Sequence, residues 1–290
     1  FEIITDPADS QYLSKQAKFS PFTTTFFKYS DKQYGWVSEF FEASYEDVMA
    51  SQNSPYAFQL KDETIAVAQS FLKQFGLNPN DDFVVLHLRE SGYCDGEQHI
   101  LRNVNPEDYI DAINWLLKSG FKVVRLGHQH MKLIEKCPGL IDLTRVNRPG
   151  EVDIYACGKA KFYFGSGSGP YSLATHFGVP TAATTQLPYG RSRPNILNQY
   201  MRFQNRKTKK TLSIPEIYQM GLNLICSPEI FSKYDLDPIF PDKNDNLQFA
   251  KEMVEYLEKG KIYRDNEART VEKSKYGLGG PLCSKSLELL

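Results

Sequence analysis

Between residues 81 and 190 short apolar runs recur, bounded by turn residues and set among stretches with helical spacing. The runs are Phe83-Val84-Val85-Leu86, Phe121 to Leu126, Leu140-Ile141-Asp142-Leu143, Lys161 to Phe164 and Val179 to Thr185. Four to seven apolar or β-branched residues between turns read as buried strands. The intervening helices carry their own signals. Ile65, Ala68, Leu72 and Phe75 share a face before Gly76. Asn105 is an N-cap with Pro106 behind it, and Tyr109, Ile113, Leu116 and Leu117 line one side up to Gly120. Glu151 to Lys159 and Gly169 to Phe177 read as further helices, the second ended by Gly178. Short joints between strands and helices leave one economical solution, a parallel sheet covered on both faces. The expected fold class is therefore α/β, a Rossmann-like parallel sheet with helices on both faces.

Composition narrows the function classes. The 290 residues carry 34 basic and 35 acidic side chains with no long single-sign block, which argues against a nucleic-acid binder held by a basic face. No apolar run approaches the ~18–20 residues of a membrane span. Cys94, Cys137, Cys157, Cys226 and Cys283 are scattered, odd in number and without CxxC spacing. Reduced thiols in a cytoplasmic protein are expected, rather than a disulfide scaffold or a structural zinc site. The chain opens on Phe1 and shows no signal-peptide pattern, so a missing N-terminal portion stays in view. Residues 1–60 are dense in aromatics, from Phe19 to Phe41, and read as a packed irregular region, the remainder of an acceptor domain. Residues 61–220 are expected to form the Rossmann-like domain and 221–290 a C-terminal helical extension. Helices are expected near Ile214–Met220 and Asn246–Lys259, after a polar stretch that follows residue 190. Asp235-Leu236-Asp237 reads as a turn, because Pro238 follows and no strand precedes it.

In an open parallel sheet, ligands bind beyond the carboxyl ends of the strands. The most glycine-rich loop falls there: Gly165-Ser166-Gly167-Ser168-Gly169-Pro170, followed at once by a helix. Glycines let a backbone approach a ligand, the helix start offers N–H groups and partial positive charge, and two serines add hydroxyls. A phosphate or diphosphate suits that set, and so does a tight turn that merely needs small residues. The loop is neither a Walker A sequence nor a GxGxxG fingerprint, which disfavours ATP hydrolysis and NAD. After the first strand come His87-Leu88-Arg89-Glu90 and a polar loop to Arg102-Asn103. Arg89 and Arg102 are permanent fork-shaped cations suited to phosphate, and an ion pair of Arg89 with Glu90 or Asp95 is the plainer alternative. His87 is expected to face into the sheet as a satisfied core histidine. The second strand ends in Arg125-Leu126-Gly127-His128. His128 and His130 lack a carboxylate or cysteine at ligand spacing, so no metal is expected.

Two stretches carry a family resemblance. Gly167-Ser168-Gly169-Pro170-Tyr171-Ser172-Leu173-Ala174-Thr175-His176-Phe177-Gly178-Val179-Pro180 is similar in register to the SGP-x-x-LA-x-x-x-G-x-P signature of heptosyltransferase-like GT-B glycosyltransferases. More closely, His87-Leu88-Arg89-Glu90, Arg102-Asn103 with Tyr109, Val123 to Gly127, Asp153-Ile154 and Gly165 to Pro170 resemble a family of putative bacterial glycosyltransferases of surface-polysaccharide loci. The resemblance spans roughly residues 80–220. It implies that this is the GT-B half that binds a nucleotide-sugar donor, with Arg89, Arg125, Gly127, His128, Ser166, Gly167, Ser168, Gly169 and Tyr171 around the donor. Arg89 and Arg102 would neutralise the leaving diphosphate and Glu90 would serve as the base. It implies no metal and no cofactor beyond the donor substrate. The acceptor would be a glycan or lipid-linked saccharide, and the protein cytoplasmic or at the inner face of the membrane. Gly167 and Ser172 stand where heptosyltransferases carry Asp and His, which turns the expectation away from ADP-heptose.

Alternatives stay open at this point. The His-x-Arg opening also resembles fucosyltransferases that use GDP-fucose. A sugar-nucleotide epimerase would share the fold and could draw on His128, His130, Asp142 and Glu151. A noncatalytic glycan-binding domain could use the N-terminal aromatics as a stacking face, although a hydrophobic core is their plainer use. Sugar, nucleobase, stereochemical course and oligomeric state are not encoded in any spacing.

Overall fold

The computed structural model describes residues 2–4, 26–29, 32–34, 58–91, 97–135, 137–189, 196–259 and 281–290, with the backbone alone for residues 2–4, 26–29, 32–34 and 97–99. The chain divides into two compact units, Phe1–Ala57 and Phe58–Leu290. In the first, β1 (Glu2–Ile4), β2 (Phe26–Tyr29) and β3 (Lys32–Tyr34) form an antiparallel sheet in that order. The side chains of the aromatic region expected there lie outside the described residues.

The second unit is built on a six-stranded sheet, every pairing of which is parallel. Its strands are β4 (Phe83–His87), β5 (Lys122–Arg125), β6 (Leu140–Asp142), β7 (Phe162–Ser166), β8 (Thr181–Gln186) and β9 (Ile196–Tyr200). They lie in the order β6-β5-β4-β7-β8-β9. Counted from β4, that is the 3-2-1-4-5-6 order of a doubly wound sheet, whose topological switch point falls between β4 and β7.

Helices cover both faces because the strands are apolar on both. On one side α2 (Ile110–Lys118) and α7 (Lys243–Lys259) pack together. Ile113, Leu116, Phe249 and Met253 there meet Val84, Leu86, Phe162 and Phe164. On the other, α1 (Asp62–Lys73), α3 (Gly150–Lys159) and α4 (Gly169–His176) bring Leu72, Tyr155, Ala156 and Ala174 against Val85, Val124 and Tyr163. Each buried Leu, Phe or Val contributes roughly 1.5–3 kcal/mol. The expected α/β class and its coverage on both faces are the fold observed.

The structure corrects the reading beyond residue 190. The polar stretch there contains β9 and β10 (Arg202–Asn205), and β10 pairs antiparallel with β11 (Leu236–Ile239). Asp237 and Pro238 therefore sit in a strand, Pro238 opposite Phe203 in a two-stranded ribbon where a missing N–H is tolerated. With α5 (Ile214–Gln219), α6 (Pro228–Lys233) and α8 (Ser284–Leu287), this ribbon encloses a third apolar cluster around Phe203, Ile217, Phe231 and Leu287. No helix among the described residues is long and apolar enough to cross a membrane.

Candidate functional site

The two loops singled out in the sequence meet at the switch point. β4 and β7 run so close that a Cβ on Gly165 would stand 2.0 Å from the carbonyl oxygen of His87. With φ at +145° as well, the position accepts glycine alone. Beyond it the loops are stitched together. The Arg89 amide donates to Ser166 Oγ at 3.2 Å, and His87 Nδ1 shares a hydrogen bond with Ser168 Oγ at 3.1 Å. Beneath them the buried Tyr163 hydroxyl donates to the Ser166 carbonyl at 2.6 Å and lies 3.3 Å from Ser168 Oγ. Tyr171, on the first turn of α4, meets the Tyr163 ring edge-on.

This stitching decides what faces outward. Ser168 is the N-cap residue of α4, yet its hydroxyl makes no capping hydrogen bond because it is turned to His87 and Tyr163. A helix start without a side-chain cap keeps its partial positive charge for something else. Gly169 has open space where a Cβ would be, and Gly167 only the Gln186 Oε1 at 3.6 Å. His87 is enclosed, as the sequence suggested, and its imidazole is lowered to about 4, first by burial and then by the charges of Arg125, Arg89 and His128. It is therefore neutral near pH 7 and holds Ser168 without adding charge.

The arginines of the site differ sharply. Arg89 has no ion pair among the described residues, and its buried Nε has no hydrogen-bond partner. Arg125, expected near the donor, is fully enclosed. Its guanidinium donates to Glu90 Oε1 at 2.7 Å, Asp142 Oδ2 at 2.8 Å and the Lys132 carbonyl at 2.6 Å. Glu90, expected as the base, gives its other oxygen to the Lys132 amide at 3.0 Å. Burial raises its carboxyl above the ordinary range, against the pull of that amide and of Arg125. The two residues thus form a buried clasp joining the ends of β4, β5 and β6. Of the plainer alternative, an ion pair of Arg89 with Glu90 or Asp95, the first half is not what the structure contains, because Arg125 takes Glu90, and Asp95 lies outside the described residues.

The remaining candidates are spread. Arg102 ends a 3-10 helix (Glu97–Arg102) that packs against β8 and α6. Gly127 is glycine for packing, since a Cβ would meet Met131 Sδ at 2.3 Å and Thr144 at 2.9 Å. His128 Nδ1 accepts the His130 amide at 3.3 Å. No group of three His, Cys, Asp or Glu suited to a metal occurs among the described residues. Tyr109 is buried with its hydroxyl 3.0 Å from Thr184 Oγ1 on β8. A hollow of 290 Å³ opens between Asn103–Val104, Asp108–Tyr109 and Phe240–Pro241. It adjoins the first loop, because the Val104 amide donates to the Arg89 carbonyl at 2.8 Å.

Gln186 escaped the sequence reading. It closes β8, is 8% exposed, and its Nε2 has no hydrogen-bond partner among the described residues. A polar Thr184-Thr185-Gln186 tail on an otherwise small and apolar strand was the available signal.

No family model matches the sequence, and no curated protein does. Among solved structures, a glycosyl transferase family 9 protein from Veillonella parvula DSM 2008 is 17% identical with a TM-score of 0.36, covering 49% of this chain and 40% of that one. The E. coli ADP-heptose lps heptosyltransferase II is 14% identical with a TM-score of 0.33, covering 43% and 38%. The E. coli heptosyltransferase WaaC with ADP is 20% identical with a TM-score of 0.32, covering 53% and 46%. The chain thus spans less than half the length of each of these proteins.

Proposed function

We propose that residues 58–290 carry the donor-binding half of a glycosyltransferase that takes a nucleotide sugar. The observation that carries this reading is the pairing at the switch point of Arg89, a cation with no ion pair among the described residues, with a glycine-rich loop that opens into a helix start its N-cap side chain leaves uncapped. A diphosphate matches both, accepting N–H bonds from the helix start and a charge-assisted bond from the guanidinium. In the transfer itself, an acceptor hydroxyl bonds to the anomeric carbon as the bond from that carbon to the diphosphate oxygen breaks. The diphosphate leaves with the electron pair, and the hydroxyl proton passes to a base facing the acceptor. Charge grows on the leaving oxygens, so Arg89 and the α4 dipole act where the transition state needs them, in place of a divalent ion. Arg125 and Glu90 act as positioning residues here, tying the loop after β4 to β5 and β6. The resemblance adds the acceptor class, a glycan or lipid-linked saccharide of bacterial surface polysaccharide, and a cytoplasmic place at the inner membrane face.

Calorimetric titration with UDP, GDP, CMP and ADP tests the reading, repeated for the best ligand on Arg89→Ala and Ser168→Ala. One nucleotide is expected to bind, and at a hundredfold its dissociation constant to stabilise the fold by ~2.7 kcal/mol. Arg89→Ala is expected to weaken it at least tenfold. A folded protein that binds none of the four refutes the reading and favours a noncatalytic glycan-binding domain.

A further inference from the structure

The end of β8 is irregular at the one place where it meets the Gly/Ser loop. The register between β8 and β9 runs regularly to Ala183 opposite Asn198, then places Gln186 opposite Tyr200, so β8 holds one extra residue. Thr185 absorbs it with φ at +50°, a conformation disfavoured for a β-branched side chain, and its hydroxyl donates to the Thr184 carbonyl at 2.8 Å. Bulges of this kind re-aim the next side chain. Here they bring the Gln186 amide over Gly167, with Oε1 3.6 Å from where a Cβ of that glycine would stand.

The amide is more than nine-tenths buried and its Nε2 donates to nothing among the described residues. A buried donor without an acceptor is costly and rare in a folded protein. Arg89, across the loop, presents a second buried N–H in the same condition. Both orphans are donors, and the helix start between them is a donor too. What would satisfy all three is a group rich in acceptor oxygens and negatively charged.

We infer that Gln186 is a ligand-binding residue of this site, its Nε2 donating to an oxygen of the anionic group that the Gly165–Gly169 loop receives. This rests on the reading above, under which that group is the diphosphate of the nucleotide sugar. Gln186 supplies a hydrogen bond without charge from the end of β8, whereas Arg89 follows β4 on the other side of β7.

The test titrates wild type, Gln186→Leu, Gln186→Glu and Arg89→Ala with inorganic pyrophosphate and the four nucleotides, and records the melting temperature of each ligand-free protein. Gln186→Leu removes an unpaired donor, so it is expected to melt at or above wild type while binding the preferred anion about tenfold more weakly. Gln186→Glu keeps the shape and replaces the donor with a carboxylate, so it is expected to bind more weakly still. A Gln186→Leu or Gln186→Glu protein that binds like wild type, where Arg89→Ala does not, overturns the inference and leaves the transferase reading standing. Failure of wild type to bind pyrophosphate or any nucleotide overturns both.

Discussion

Replacing His87 with Gln isolates a contribution to stability that depends on pH. The imidazole is lowered from 6.5 to about 4, so folding favours its neutral form. A base whose folded value is depressed contributes stability that is complete above its unfolded value and lost as pH falls toward its folded one. The window is therefore about pH 6.5 to 4. A difference of ~2.5 pH units corresponds to about 3.4 kcal/mol once both states are charged. At about pH 5 the unfolded imidazole is almost wholly protonated and the folded one almost wholly neutral, so about 2 kcal/mol is already gone. Glu90 works in the opposite sense, because burial raises its carboxyl and acidification relieves it, so the wild-type profile alone blends the two. Gln at position 87 keeps a hydrogen-bonding partner for Ser168 and cannot titrate. Urea unfolding at about pH 7.5 and pH 5 is the assay. Wild type is expected to lose about 2 kcal/mol more than His87→Gln between the two, or about 4–8 °C in melting temperature for a domain of this size. Equal losses in the two proteins would refute the argument that His87 is held neutral by its surroundings.

Other perturbations probe the clasp, the loop and the ribbon. Arg125→Met leaves the Glu90 and Asp142 carboxylates without their shared cation and is expected to cost about 3–5 kcal/mol in urea unfolding. Adding Glu90→Gln to it should recover part of that loss, and a simple sum of the two effects would count against a coupled cluster. Gly165→Ala drives a methyl into the His87 carbonyl and is expected to lower stability by about 3 kcal/mol or more; an unchanged unfolding midpoint would contradict the close approach of β4 and β7. Ser213→Ala removes a capping box in which Ser213 and Glu216 satisfy each other's amides, at an expected cost of about 1 kcal/mol by thermal unfolding.

How far the sequence reaches differs between neighbouring elements. β4, β5 and β7 were legible because their apolar runs face helices on both sides, so hydrophobicity alone marks them. β9, Ile-Leu-Asn-Gln-Tyr, is as buried as they are but reads as polar. Its polar groups are answered from far along the chain: Asn198 Nδ2 by the Pro281 carbonyl, and Gln199 by the Thr184 hydroxyl. Nothing local announces those partners. The same limit separates the arginines. Arg125 ends β5 and Arg89 follows the end of β4 by two residues, at the same sheet edge, and only the third dimension shows that Asp142, one strand over, and Glu90 pair with Arg125. The Gly/Ser loop was visible as composition, whereas Gln186 depends on a bulge and a left-handed Thr185, which no periodicity encodes.

One of the two outer strands of the parallel sheet, β9, has a further consequence. An exposed strand is a template on which another chain can pair. Here β9 is occupied by the protein itself: the Asn198 amide donates to the Pro281 carbonyl, the Cys283 amide to the Asn198 carbonyl, and the Tyr200 amide to Ser286 Oγ. The plug lies some eighty residues downstream of the strand it covers. During synthesis, which runs from the N-terminus at roughly 5–20 residues per second, β9 is made well before its cover. For those seconds the nascent sheet presents a free margin, which closes only once residues 281–290 have been made.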